Sequence, residues 1–207
     1  MRHLEFETKF ELTAGSFDRV KSMGRISRRD DQLNVYYDAA WRLADSSSTL
    51  RIRFHQRADP ILALKIPIDF IGATRVMQEF EVILSRRNSV FARSRHPTVI
   101  DVQADLPREL GSRLLSLGLE RVERIGWMRN TRLVIEIGDV GCIELDRLQL
   151  PDGTVVHEAE IETEKVSVQE RLSALLCRHA PDALPSTMNK FQRFRRAAAS
   201  SCHAVAV

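Results

Sequence analysis

Charged residues in this chain are sorted by sign along short stretches of alternating polarity. Near the start, Glu5, Glu7 and Lys9 share one parity, with Leu4, Phe6 and Phe10 on the other. Arg51 and Arg53 alternate with Leu50, Ile52 and Phe54, and Lys65 sits between Leu64 and Ile66. Acidic residues return at Glu79 and Glu81 and again at Glu158, Glu160 and Glu162, while Arg132 and Asp146 lie on the polar parity of two further stretches. Residues i and i+2 of a strand point the same way, so each pair acts as one surface. Paired carboxylates suit a hard divalent cation, and guanidinium forks suit phosphate oxygens. Two arrangements satisfy the pattern. In one, the polar faces meet solvent and form cross-strand ion pairs worth under about 1 kcal/mol each. In the other, the sheet rolls so that these faces line an interior channel, where opposite charges keep each other ionised and a polyanion with its metal would fit.

The elements that must carry these residues can be read from period. Alternation at 3–12, 50–55, 62–66, 79–84, 132–137, 143–146 and 155–162 predicts half-buried antiparallel strands. Helical spacing is confined to the connections and the end: 16–23 after Gly15, then the stretch from Pro107 that Gly118 stops, 167–179 with Leu172 and Leu176 on one face, and 189–199. The fold class is therefore α+β. With 207 residues, 43% hydrophobic and 29% charged, the chain has globular composition, and one domain over residues 1–196 with a fraying small-residue tail at 197–207 is expected. A chain of this size buries roughly 70% of its unfolded surface and needs no staple to fold.

Several classes drop out. No apolar run approaches the ~20 residues of a membrane-spanning helix, and Glu5, Glu7, Lys9 and Glu11 occupy the place of a signal peptide's apolar core, so export is not expected. Cys142, Cys177 and Cys202 form neither a zinc spacing nor a disulfide framework, which makes the reducing cytoplasm the default compartment. Only Lys9, Lys21, Lys65, Lys165 and Lys190 among 31 basic residues are lysines, but the net charge is +3, and no aromatic–basic motif of an RNA binder accompanies the arginines. Neither a nucleic acid nor a membrane is expected as a partner. Apolar faces around a barrel are compatible with a homodimer.

The order of the charged motifs resembles one family. Residues 5–9, EFETK, resemble the Glu-x-Glu-x-Lys signature that opens the CYTH domain, the triphosphate tunnel metalloenzyme superfamily of class IV adenylyl cyclases, thiamine triphosphatases and inorganic triphosphatases. NVYYDAAWRLADSSSTLRIR (34–53), LALK (62–65), EFE (79–81), IELD (143–146), AEIE (159–162) and NKF (189–191) follow in family order, over residues 3 to about 193. Two departures stand out. Asn130 occupies a position where the family often has a basic residue, unless Arg129 reaches round from the opposite parity, and Ala39 replaces the usual threonine after the aspartate.

The resemblance implies an eight-stranded antiparallel β-barrel whose charged interior forms a tunnel, with apolar residues facing outward onto helices. It implies that Arg51, Arg53, Lys65 and Arg132 bind a triphosphate, with Lys190 and Arg193 closing one mouth. Glu5, Glu7, Asp146, Glu160 and Glu162 would hold Mg or Mn, and Glu158 is an alternative member of the last pair. Lys9 would orient or deprotonate the attacking water, or bind phosphate; Glu79 and Glu81 would hold the cations in place by ion pairing. The implied activity is metal-dependent hydrolysis of tripolyphosphate or a small organic triphosphate. Class IV adenylyl cyclase activity is the alternative, and a non-catalytic polyphosphate or RNA binder the second. His55 beside Arg53 could enter the tunnel, though a surface position is the simpler expectation. Tyr36, Tyr37, Trp41 and Trp127 could stack a base at a mouth or belong to an apolar core.

Overall fold

In the computed structural model, which describes residues 2–56, 58–71, 74–84, 97–186 and 188–204, the alternating stretches pair into a closed ring. Side chains are described for 6–56, 58–69, 74–84, 97–186 and 188–199, so those of Glu5 and Cys202 lie outside the described residues. The strands are β1 (Arg2–Leu12), β2 (Arg25–Asp38), β3 (Thr49–His55), β4 (Ile61–Ile71), β5 (Thr74–Ile83), β6 (Val99–Asp101), β7 (Arg121–Ile137), β8 (Gly141–Gln149), β9 (Val155–Thr163) and β10 (Leu184–Pro185). The helices are α1 (Ala14–Lys21), α2 (Arg42–Asp45), α3 (Val102–Asp105), α4 (Arg108–Ser116), α5 (Val166–His179) and α6 (Lys190–Ala204). Around the barrel the order is β1-β5-β4-β3-β2-β7-β8-β9 and back to β1, every pairing antiparallel. β6 adds to β7 and β10 to β1. Closure leaves no long edge to aggregate. Among the described residues no helix is long and apolar enough to cross a membrane.

The barrel is polar inside and apolar outside, as the alternation requires once the sheet closes. On one flank the outward Leu50, Ile52, Leu62, Leu64 and Phe80 pack with Leu110 and Leu114 of α4. On the other, Phe10, Leu133, Ile143, Ala159 and Ile161 pack with Val20 of α1 and Leu172 and Leu176 of α5. Leu172 and Leu176 meet the wall together because i and i+4 share a helix face. Thr13 caps α1 by accepting from the Ser16 amide at 3.1 Å. One polar chain crosses this flank: Gln169 of α5 donates to Thr8 (2.5 Å), which bonds Thr74 (2.8 Å), so α5 is registered against β1 and β5.

One end departs from the expected inversion. There the inward residues Tyr36, Met128 and Leu148 are apolar or aromatic, and they receive Phe191, Phe194 and Ala197 of α6. Tyr36 stacks on Phe191 with ring centroids 5.1 Å apart. A bulge places Ile125 out of register between β7 and β2, and Gly126 (φ +151°) takes the position opposite Tyr36. A Cβ on Gly126 would lie 2.5 Å from the Phe194 ring, so only glycine lets the helix seat so close. The helix packs across this end, and among the described residues the wider mouth lies at the other.

The first half of β2 showed no alternation in sequence, because Arg28, Arg29, Asp30 and Asp31 form an unbroken polar run. That segment is a strand because its rows are completed by β7. The short helices α2 and α3 gave no periodic signal, and α6 runs to Ala204, beyond the expected residue 199. Phe191 is 1% exposed, so Phe191→Ala should cost about 3–5 kcal/mol. Chemical denaturation measures this, and a loss below about 1 kcal/mol would contradict the seating of α6.

Candidate triphosphate site

Each strand contributes a row of inward side chains, and register brings the rows together. Lys9 lies opposite Glu160, and Glu7 opposite Glu162 across β1–β9. Asp146 lies opposite both Arg132 and Glu158. Lys65 lies opposite Thr49 on β3 and Glu79 on β5. The result is a network of shared ions. Arg132 donates Nε to Asp146 Oδ1 at 2.9 Å and NH2 to Asp146 Oδ2 at 2.7 Å and Glu160 at 2.6 Å; it also pairs with Glu144. Lys9 pairs with Glu160 and, at 3.1 Å, with Glu7. Lys65 reaches Glu162 (3.1 Å), Glu79 (3.4 Å) and Glu7 (3.5 Å). Lys190 descends from α6 onto Asp146 (2.8 Å), Glu160 and Glu158 (3.7 Å). Arg193, one turn on, bonds Glu158 at 2.5 Å and Glu11 at 3.0 Å.

Sharing divides the carboxylates into two groups. Burial raises them all, but at Asp146 it is outweighed by Arg132 and Lys190, and at Glu160 by Lys190, Lys9 and Arg132, so both lie below the usual carboxylate range. Lys65 holds Glu162 down in the same way. At Glu158 burial prevails and the group is raised. At Glu144 burial prevails over Arg132, and with repulsion from Glu162, Asp146 and Glu160 it pushes the carboxyl up to about 7. The reason is geometric: one guanidinium serves Glu144, Asp146 and Glu160, and Lys190 also reaches Asp146 and Glu160, whereas Arg132 is the one cation paired with Glu144 among the described residues. Conversely, burial would lower the Lys190 ammonium, but Asp146 and Glu160 raise it.

Among the sequence-predicted residues, the barrel brings together Glu7, Lys9, Arg51, Lys65, Arg132, Asp146, Glu158, Glu160, Glu162, Lys190 and Arg193 as buried or half-buried groups. Glu79 stands between Lys65 and Arg51, the latter at 3.9 Å. Arg53 and Glu81 line the open mouth, a cavity of about 490 Å³. Glu5 lies on β1 opposite Met77, but its side chain is outside the described residues. Arg193 is buried.

One expectation needs correction, and the geometry decides two alternatives that the sequence left open. His55 is not on the surface: its side chain is 14% exposed and lines the mouth. Tyr36, Tyr37 and Trp41 are not at that mouth, since Tyr36 and Trp41 pack around Phe191 at the α6 end and Tyr37 belongs to the outer core; Trp127 stands on the outer wall, 52% exposed. Arg129 does not replace the missing cation, because it lies over the Trp127 ring, 5.8 Å from its centre. Asn130 instead donates to Asp146 at 2.7 Å and to Gln32 at 3.2 Å.

Sequence reading missed Glu144 and Arg75. Glu144 was visible on the polar parity of its strand, two residues before Asp146. Arg75, buried opposite Glu7, had no alternating context because β5 begins just before it. Glu144, Glu160 and Glu162 each offer an oxygen within 4.8 Å of the others. Three carboxylates at this spacing are the hard oxygen set that Mg or Mn takes, so the donors fit a divalent ion.

The family model for the CYTH domain matches residues 3–194. The chain is a CYTH domain protein. This CYTH chain has no match among curated protein sequences. Solved structures similar to it include HpAC1 of Hippeastrum, named for adenylyl cyclase and described with a dominant triphosphatase activity: TM-score 0.75, 24% identity, 93% of this chain and 95% of that one covered. A Bacillus halodurans protein named for adenylate cyclase gives TM-score 0.71 and 24% identity, covering 93% and 98%. The PH1819 protein of Pyrococcus horikoshii gives 0.52 and 20%, covering 84% and 89%. These likenesses show the fold, and CYTH membership fits an enzyme that acts on triphosphates.

The folded chain keeps the Glu144 proton between about pH 4 and 7, where the unfolded chain has lost it, so this group lowers stability as pH rises through that window. With a chelator present, Glu144→Gln should leave the melting temperature unchanged near pH 4. It should raise it at pH 8 by on the order of 2 kcal/mol, or roughly 4–8 °C. A benefit that shrinks with rising pH in thermal denaturation would contradict the assignment.

Proposed function

We propose that the chain is a divalent-metal-dependent triphosphatase that cleaves tripolyphosphate or a small organic triphosphate, with Mg or Mn as its ion. Arg51, Lys65, Arg132 and Lys190 bind the phosphates inside the barrel, Arg53 receives the outermost one, and Arg193 braces α6 against Glu158. Glu7, Asp146, Glu160 and Glu162 hold the ion, with Glu5 preceding them on β1 and Glu144 as an added ligand; Glu158 is reserved to Lys190 and Arg193. When bound, the ion neutralises phosphate charge and makes the attacking water a better nucleophile. Arg51, Lys65 and Arg132 spread their charge over the oxygens of the phosphoryl group in transfer, where a dry, preorganised wall is worth more than solvent. Lys9, ion-paired to Glu7 and Glu160, donates to phosphate or orients the water. Glu79 keeps Arg51 and Lys65 in position.

One observation carries hydrolysis over cyclisation. The opposite end is filled by Tyr36, Phe191 and Phe194, so a nucleoside would have to leave through the open mouth. Among the described residues of that mouth the only ring is His55; the rest are Arg, Lys, Glu, Asp and Gln with Ala58 and Ile61. Beyond His55, the described residues of that mouth offer a nucleobase no aromatic platform, which favours hydrolysis over the adenylyl cyclase reading. A pure anion binder is the weaker reading still, because the buried carboxylates would repel its ligand.

The test supplies tripolyphosphate, thiamine triphosphate and ATP with Mg or Mn and measures orthophosphate and cyclic AMP separately. Orthophosphate release is expected, with no cyclic AMP. Glu7→Ala should reduce turnover by about 10²-fold or more, while anion binding is retained or strengthened. Cyclic AMP as the main product, or turnover undiminished in Glu7→Ala, would overturn the proposal.

A further inference from the structure

A chain of polar side chains runs along the inner wall from the open mouth to the centre of the site. His55 Nδ1 lies 2.6 Å from Asp30 Oδ2, and the same oxygen accepts from Gln32 Nε2 at 2.9 Å. Gln32 Oε1 accepts from Asn130 Nδ2 at 3.2 Å, and that amide also donates to Asp146 Oδ1 at 2.7 Å. The register explains why the chain exists: Gln32 lies opposite His55 on one side and opposite Asn130 on the other. Asn130, an amide where the family often has a cation, is what lets the chain continue to Asp146.

The outer end of this chain is oriented and unfinished. Asp30 occupies Nδ1, which fixes the ring of a residue that lines the mouth, and Nε2 is buried with no hydrogen-bond partner among the described residues. One step deeper on β3, the Arg53 guanidinium has only a long 3.5 Å contact with Asn34 Oδ1 among the contacts of the described residues. A buried nitrogen without a partner costs free energy that a ligand oxygen recovers.

We propose that His55, oriented by Asp30 and acting with Arg53, is a specificity-determining contact that reads an unesterified terminal phosphate at the open mouth. The inference rests on the proposed triphosphate site. A terminal phosphate retains an oxygen that titrates near neutrality, with a second pKa of about 6 in simple monoesters. One proton can therefore lie between that oxygen and Nε2, whichever of the two carries it. The α-phosphate of a nucleoside triphosphate has no such oxygen, because the ester replaces it, and its sugar would stand at the mouth that His55 lines. The subsite thus favours tripolyphosphate over triphosphates that carry an organic group outward.

The test is calorimetric titration, with Mg present, of the non-hydrolysable imido analogues of tripolyphosphate and of ATP. The wild-type chain should bind the tripolyphosphate analogue more tightly. His55→Ala should weaken that ligand by about tenfold or more and the ATP analogue by less than about threefold, the range of a lost charge-assisted contact. Asp30→Asn should lose part of the same preference. If His55→Ala melts well below the wild type, His55→Gln, which cannot keep the ring geometry, is read for the same split. Equal weakening of both ligands, or none, overturns this inference and leaves the triphosphate site standing. Failure of the wild type to bind either ligand overturns both.

Discussion

An ionised side chain buried in a protein costs several kcal/mol unless an opposite charge and hydrogen bonds compensate it, and that constraint organises this molecule. The barrel interior holds Glu7, Lys9, Arg51, Arg75, Glu79, Arg132, Asp146, Glu158, Glu160 and Lys190, each less than a tenth exposed. None of them would be tolerated singly. Together they neutralise one another, with Glu160 alone shared by Lys9, Arg132 and Lys190. Apolar side chains of equal volume would stabilise the barrel as well or better. The proposed function explains the cage better than stability does: a polyanion would take over the cations as a divalent ion takes over the carboxylates.

The apolar parts of the structure serve that arrangement. Outward leucines, isoleucines and phenylalanines bury against α1, α4 and α5, so the barrel needs no core of its own. At one end α6 does two tasks with one face. Phe191 and Phe194 seal the opening against Tyr36, and Lys190 and Arg193, one helical turn apart, reach acids on the wall. Packing at this end gives the pocket a direction, with charge deep inside and, among the described residues, a mouth lined by Arg53, Asp30 and His55.

Much of this was legible in the residue pattern. Alternation located most of the barrel strands, and the sorting of Glu5, Glu7, Lys9, Arg51, Arg53 and Lys65 by sign pointed to an interior channel once the family resemblance chose between two arrangements. What stayed hidden had physical causes. β2 begins as an all-polar run whose two faces cannot be told apart until β7 pairs with it. His55 follows Phe54 at the end of its strand, and nothing in sequence reveals that Asp30, twenty-five residues earlier, turns its ring inward. The apolar plug escaped because Tyr36, Met128 and Leu148 share parity with charged neighbours, and only the docking of α6 explains why they face the interior.

The claim on which all of this depends is that metal and triphosphate enter the barrel and displace its internal ion pairs. Diffraction from crystals grown with the imido analogue of tripolyphosphate and manganese, whose anomalous signal locates the ion, tests it directly. The account predicts a manganese peak among Glu144, Glu160 and Glu162 and phosphorus atoms between Arg51, Lys65 and Arg132, with the Lys190–Glu160 and Lys9–Glu160 contacts opened. Manganese and anion found on the outer surface, with those contacts intact, would contradict it.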